Sequence, residues 1–234
     1  EKENEIMFHV NENYQKLPRL CRPVLSECLT RASPANIIEV VKLFYILRGN
    51  RFNCQEALRM TELFTLSREL GFTAAAPVNM SALTPLEEVR AMCEADRCGR
   101  YGRSWACPPG CGTLEHTRAR IEMYSEGILV QSTAELADEF DYQGIMRLTE
   151  EHKRRFADFA RQARLVYPDC LPLTAGTCML CRTCTYPDRP CRYPNRRLSS
   201  MEAYGLFVSD VCTKSGLSYN YGPRTLTFTS CVLY

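Results

Sequence analysis

Eight of the fourteen cysteines fall into two short runs. Cys93, Cys98, Cys107 and Cys111 form the first quartet, and Cys178, Cys181, Cys184 and Cys191 the second. Thiolates spaced this closely bring several soft ligands to one point, which is what a metal site needs. Each run therefore has to be a loop wrapped round a centre, inserted between regular elements. A disulfide scaffold fits less well. The cysteines are bunched, and Cys178, Cys181 and Cys184 are too close to pair easily with one another. A chain of 234 residues also buries a core without staples. The pattern is that of a protein kept in a reducing cytoplasm.

The bulk composition excludes several classes. Hydrophobic residues make up 45% and charged residues 24%, which is globular. No apolar run approaches a bilayer span, and no segment reads as a secretory signal. The segment 37–47 is broken by Glu39 and Lys42 and reads as a buried or interface helix. A formal charge of +2 is too small to argue for a nucleic-acid or membrane partner, and neither is expected. The arginines are nevertheless concentrated. Arg97, Arg100 and Arg103 lie in the first run, and Arg182, Arg189, Arg192, Arg196 and Arg197 in or after the second. They are either solvated loop residues, or counter-charges for anionic clusters and a landing site for an acidic partner or substrate.

Periodicity and caps give the frame. Residues 1–33 read as a loose arm or short helices. Ser33-Pro34 opens a helix to about Leu47, apolar almost all round, which would pack on the domain or on a second subunit. Asn53 and Glu56 cap a helix carrying Leu63, Phe64, Ser67 and Leu70, ending at Gly71. A strand is expected over 72–80. Thr84-Pro85-Leu86-Glu87 reads as a helix start, and that helix delivers Cys93. Thr113 caps a helix with Leu114, Thr117, Ile121 and Tyr124 on one face. A buried strand starts at Gly127, and a long helix over about 145–166 carries Leu148, His152, Phe156, Phe159 and Ala163 inward. Strands follow at 171–174 and 225–233, a helix at 208–215, and a capping box at Ser199-Ser-Met-Glu202. The alternation implies one α/β domain with a roughly four-stranded sheet flanked by helices, over residues 51–234. Residues 1–50 would be a helical extension and a route to a homodimer.

In the second quartet, Cys178-x-x-Cys181-x-x-Cys184 has the spacing of ferredoxin-type loops round a [4Fe–4S] cube, with Cys191 as fourth ligand. The wider last gap departs from the ferredoxin run. Zinc is the competing cofactor, but zinc sites usually take two ligands from each of two separated turns. In the first quartet, Pro108 and Pro109 fix the turn before Cys111, and the loop runs into the helix capped by Thr113. Its N-terminus favours an anionic cluster nearby. Trp105 would shield such a site from water. Cys93 closes the set; without it, one iron would stay open to substrate.

The run Tyr101-Gly-Arg-Ser-Trp-Ala-Cys-Pro-Pro-Gly-Cys111, the later Cys178-x2-Cys-x2-Cys-x6-Cys191-Arg-Tyr-Pro194, and Ser200-Met-Glu-Ala-Tyr-Gly205 resemble the predicted metal-binding proteins of domain-of-unknown-function family 2284. The resemblance covers about 54–234. It implies metal and assigns no activity. Its neighbours in anaerobic and corrinoid-related metabolism imply a low-potential redox setting.

The remaining candidates read as structural. His116 lies near the first loop and His152 on an inward stripe. Cys21, Cys28, Cys54, Cys170, Cys212 and Cys231 read as small hydrophobes, and Tyr219-Asn-Tyr-Gly222 as a turn able to line a pocket. Three functions compete. The first is a carrier with two [4Fe–4S] clusters passing electrons to a redox partner protein. The second is an oxidoreductase with one open iron, and the third is a zinc or cluster module serving only the fold.

Overall fold

The computed structural model describes residues 54–138 and 140–234, with side chains from Met60 onward. Helix α1, Cys54–Glu69, ends at Gly71, where a positive φ of 82° lets the chain turn toward the first strand. One compact unit spans Phe64–Tyr234 and contains both cysteine loops. The expected helix over 33–47, its role in a dimer, and Cys21 and Cys28 lie outside the described residues, as does the side chain of Cys54.

After α1 come β1 (Ala74–Pro77), a 3-10 turn (Met80–Ala82), α2 (Glu87–Glu94), α3 (Leu114–Ile121) and β2 (Gly127–Glu135). Helix α4 (Tyr142–Val166) leads to β3 (Leu171–Thr174). Past the second cysteine loop come β4 (Ser199–Ser200), a second 3-10 turn (Glu202–Tyr204), α5 (Val208–Lys214) and β5 (Thr225–Leu233). The sheet runs β1-β2-β5-β3-β4. It is antiparallel except for the last pair, in which β3 and β4 are parallel. The α/β domain is therefore as expected, with five strands where the sequence pointed to about four. The additional strand is the two-residue β4, which pairs Ser199 with Leu173. So short a strand carries no period of its own.

The pairing of β2 with β5 runs from Gly127 opposite Leu233 to Glu135 opposite Thr225 and forms the spine of the sheet. The first six residues of β2 are all buried, because both faces of the sheet are covered. On one face lies the inward stripe of α4: Leu148, His152, Phe156, Phe159, Ala160 and Ala163. Asp141 caps this helix by accepting from the Gly144 N–H at 2.8 Å. Burying this stripe stabilises the fold by about 1.5–3 kcal/mol for each large apolar side chain. On the other face, Leu129, Leu173, Cys231 and Leu233 pack with Ile121, Met201, Tyr204, Leu206 and Val211. The small elements on this second face are the ones that hold the first cysteine loop.

Two local expectations are corrected. Thr84 does not cap α2. The Leu86 N–H donates to the Gly205 carbonyl at 2.8 Å, which keeps Leu86 extended, so the helix begins at Glu87 without a side-chain cap. Ser199-Ser-Met-Glu202 opens no α-helix. Ser200 Oγ instead accepts from the Ala203 N–H at 3.0 Å, beside a 3-10 turn whose N-cap position is Met201. Gly205, at φ 82°, ends that turn, and a Cβ there would lie 2.6 Å from Leu114 Cδ1.

Candidate metal centre

The first cysteine loop is strung between α2 and α3. Arg90 and Cys93 stand three residues apart on α2 and share a face. Arg90 is only 8% exposed. Its Nη1 donates to the Gly112 carbonyl at 3.0 Å and its Nη2 to the Thr113 carbonyl at 3.5 Å, clamping the far end of the loop against the helix that carries Cys93. Thr113 Oγ1 then accepts from the His116 N–H at 3.2 Å, the expected cap of α3. Leu114, Thr117 and Ile121 are buried on the expected face.

This clamp brings the two ends of the first quartet to one place. Cys93 Sγ lies 3.9 Å from the Glu202 carbonyl, and Cys111 Sγ donates to the adjacent Ala203 carbonyl at 3.5 Å. Cys93, Cys98 and Cys107 line the wall of one cleft of about 520 Å³. Burial pushes the Cys93, Cys107 and Cys111 thiols up, Cys107 to about 11, with the neighbouring cysteines adding to the effect at Cys93 and Cys107. The Arg90 guanidinium opposes the rise at Cys93 and Cys111. Such thiols are protonated at neutral pH, so binding a soft cation here releases protons.

The second loop runs over 175–198 and connects the parallel strands β3 and β4. Side chains and turns shape it without regular structure. Lys153 Nζ on α4 donates to the Thr177 carbonyl at 3.1 Å and so holds the loop's entry beside Cys178. Thr185 Oγ1 donates to the Pro190 carbonyl at 2.9 Å, and Arg192 Nη1 to the Thr183 carbonyl at 2.8 Å. Cys178, Cys181, Cys184 and Cys191 are all half-buried. Burial raises Cys184, but the N–H groups of Trp105, Tyr186 and Thr185 and the Ser104 hydroxyl outweigh it, leaving this thiol lowered. These donors favour the thiolate form of Cys184.

The two loops touch. Trp105 Nε1 donates to the Arg189 carbonyl at 3.0 Å, and the Trp105 and Tyr186 rings meet edge-on with centroids 4.9 Å apart. Trp105 thus joins the loops, where the sequence pointed to a shield over the first. Gly110 is required by the same packing, since a Cβ there would lie 2.5 Å from the Ser104 carbonyl oxygen and 2.9 Å from Tyr186 Cε2.

Among the described residues, no three Cys, His, Asp or Glu side chains stand close enough as they lie to hold one ion. The thiols of the first quartet are neighbours and do not form a closed ligand shell. The donor set itself, sulfur with no histidine, fits a soft metal or an iron–sulfur core.

The other singled-out residues are placed as follows. His116 is exposed on α3. His152 is buried between two hydroxyls, with Nδ1 2.9 Å from Ser132 Oγ and Nε2 2.8 Å from Ser230 Oγ. Cys170, Cys212 and Cys231 are buried core residues. Arg103 pairs with Asp96 at 3.4 Å, and Arg196 stacks over Tyr193. The turn at 219–222 meets the sheet through the Tyr221 hydroxyl, 2.7 Å from Gln131 Oε1, and Tyr219 lines the cleft. Sequence reasoning missed Arg90, Lys153 and Glu202. The one available signal was the spacing of Arg90 from Cys93.

An α/β sheet carrying two touching, cysteine-rich loops is the class of protein that these elements define. The chain belongs to the family described as "Predicted metal-binding protein (DUF2284)", whose model matches residues 76–234 and so takes in both quartets. No curated protein and no solved structure matches it. Among the described residues, no helix is long and apolar enough to cross a membrane.

Proposed function

We propose that each cysteine loop holds a [4Fe–4S] cluster, the first through Cys93, Cys98, Cys107 and Cys111, the second through Cys178, Cys181, Cys184 and Cys191, and that the protein carries electrons to a partner protein. The observation that carries this reading is the approach of Cys93 and Cys111 to the consecutive carbonyls of Glu202 and Ala203. It supports counting Cys93 with the first set. The Trp105–Arg189 contact supports the second half of the proposal, because loops that touch would keep their clusters within short-range transfer of one another. When bound, such clusters supply one-electron chemistry at a potential set by burial and nearby charge. The chain's own part is to hold the thiols, limit water, and present arginines to an acidic partner in the cytoplasm.

Oxygen-free purification followed by iron, sulfide and zinc analysis tests this. The expected result is about eight irons per chain, four for each cube, with colour that bleaches reversibly under dithionite. Zinc in place of iron would identify a folding module instead.

A second reading is favoured by the cleft, which reaches Cys93, Cys98 and Cys107. If Cys93 is not a ligand, the first cluster keeps one open iron facing that space. Cys93→Ser separates the two. A closed site loses its iron, whereas an open one stays assembled and its spin signal responds to added small molecules.

A further inference from the structure

We propose that the cleft beside the first cysteine loop binds a small organic cation, an ammonium group on a compact apolar or aromatic body, with Glu202 as its anchor. The cleft's volume of about 520 Å³ is that of a small-molecule site. Its thiol end is formed by Cys93, Cys98 and Cys107, but it extends well beyond any metal ligand, to Leu206, Phe207, Val208 and Tyr219. A cluster would use the first end only, and the second is built of carbon.

Three observations define the occupant. Glu202 lines the cleft, and its Oε2 is buried with no hydrogen-bond partner among the described residues. A buried carboxyl oxygen without a partner calls for a donor. An ammonium arriving there makes a charge-assisted hydrogen bond. Second, large apolar side chains stand exposed at the cleft: Met92 is 62% exposed, Phe207 44% and Tyr219 45%. Aromatic faces receive cations favourably, and their edges and the Met92 side chain cover an apolar body. Third, acceptors outnumber cations. The lining holds the Glu202 carboxyl and the Tyr101 and Tyr219 hydroxyls, with a single cation, Arg97, among the described lining residues. The inference rests on the cluster reading only for extra negative charge, because thiolates round an iron–sulfide core would deepen the same preference.

The test uses 2-phenylethylamine as probe, with phenylacetate and 2-phenylethanol as its anionic and neutral matches. All three are titrated into the full chain, purified without oxygen, by ligand-detected NMR. The expected result is saturable binding of the amine, at least tenfold tighter than either match. Glu202→Gln should weaken it tenfold or more. Met92→Lys, on an exposed position that tolerates change, should weaken it at least threefold and keeps the test valid should Glu202→Gln fail to fold. Equal binding of all three probes, no binding of the amine, or indifference to both substitutions overturns the proposal. Iron and sulfide are measured on the same samples. Amine binding by an iron-free chain upholds the cleft and sinks the cluster reading. Loaded protein that ignores the amine upholds the clusters and sinks the cleft.

Discussion

Trp105 in the first cysteine loop donates its indole N–H to the Arg189 carbonyl in the second at 3.0 Å. These residues lie far apart in the chain, yet they join the two segments richest in soft ligands. Tyr186 packs edge-on against the same indole, so the contact has a polar and an apolar part. The consequence is mechanical: displacing one loop displaces the other.

Trp105→Phe keeps most of the ring and deletes the donor. The Arg189 carbonyl is left to find water, at a cost of about 1 kcal/mol. Amide hydrogen exchange over 184–192 should accelerate, while exchange in β2 and β5 stays as it was. Uniform acceleration everywhere would mean that the contact is not local.

Gly110→Ala should disrupt the same junction from below. The new methyl meets a backbone oxygen at 2.5 Å, which cannot swing away as a side chain can. The expected cost is about 1–3 kcal/mol, as for overpacking. Trp105 is the chain's one tryptophan, so its emission reports the junction directly. A red shift is expected as the indole becomes wetter.

Arg90→Met removes the clamp between α2 and the end of the first loop. Losing hydrogen bonds from a buried charged donor costs about 1.5–3 kcal/mol, read in urea denaturation. Arg90 supports Cys93 and the end of the first loop from behind, so under the proposed cluster reading the metal affinity of that loop should fall about ten- to a hundredfold. Under the same reading the second loop should keep its metal. Iron stoichiometry on the variant distinguishes this from a general loss of fold.

His152 makes stability depend on pH. Burial, aided by the charges of Arg155 and Lys153, holds its imidazole down at about 3 in the folded chain. The unfolded value is about 6.5. Above that value both states are neutral and His152 adds no slope. As pH falls from there toward 3, the unfolded chain takes up a proton that the folded chain refuses. Stability should therefore drop by about 1.4 kcal/mol for each pH unit from this group. Urea titrations between pH 7 and about 4 should show that slope reduced in His152→Gln. An unchanged slope would assign the acid sensitivity elsewhere.

Much of the frame was legible in the residues themselves. The stripe Leu148, His152, Phe156, Phe159 and Ala163 predicts one buried face of a helix, and all five are buried on α4. The bounds of β3 and β5 follow from their apolar, β-branched runs, and Thr113 caps α3 as its side chain dictates. Thr84 failed as a cap because a distant partner, Gly205, claimed the Leu86 N–H, one of the donors that a Thr84 cap would have bonded. Strand β4 was invisible because two residues have no period.

The sequence alone determined the soft-ligand character of the chain. Cysteine spacing, proline placement and helical period are local properties, carried by neighbours a few residues apart. Only the tertiary structure decided that Cys93 and Cys111 meet at the turn beginning with Glu202, that Trp105 ties one loop to the other, and that Glu202, whose Oε2 has no hydrogen-bond partner among the described residues, lines a cleft beside the thiols. Each of these joins segments far apart in the chain. No local pattern encodes such a meeting, because the packing of the whole sheet and its helices brings the partners together.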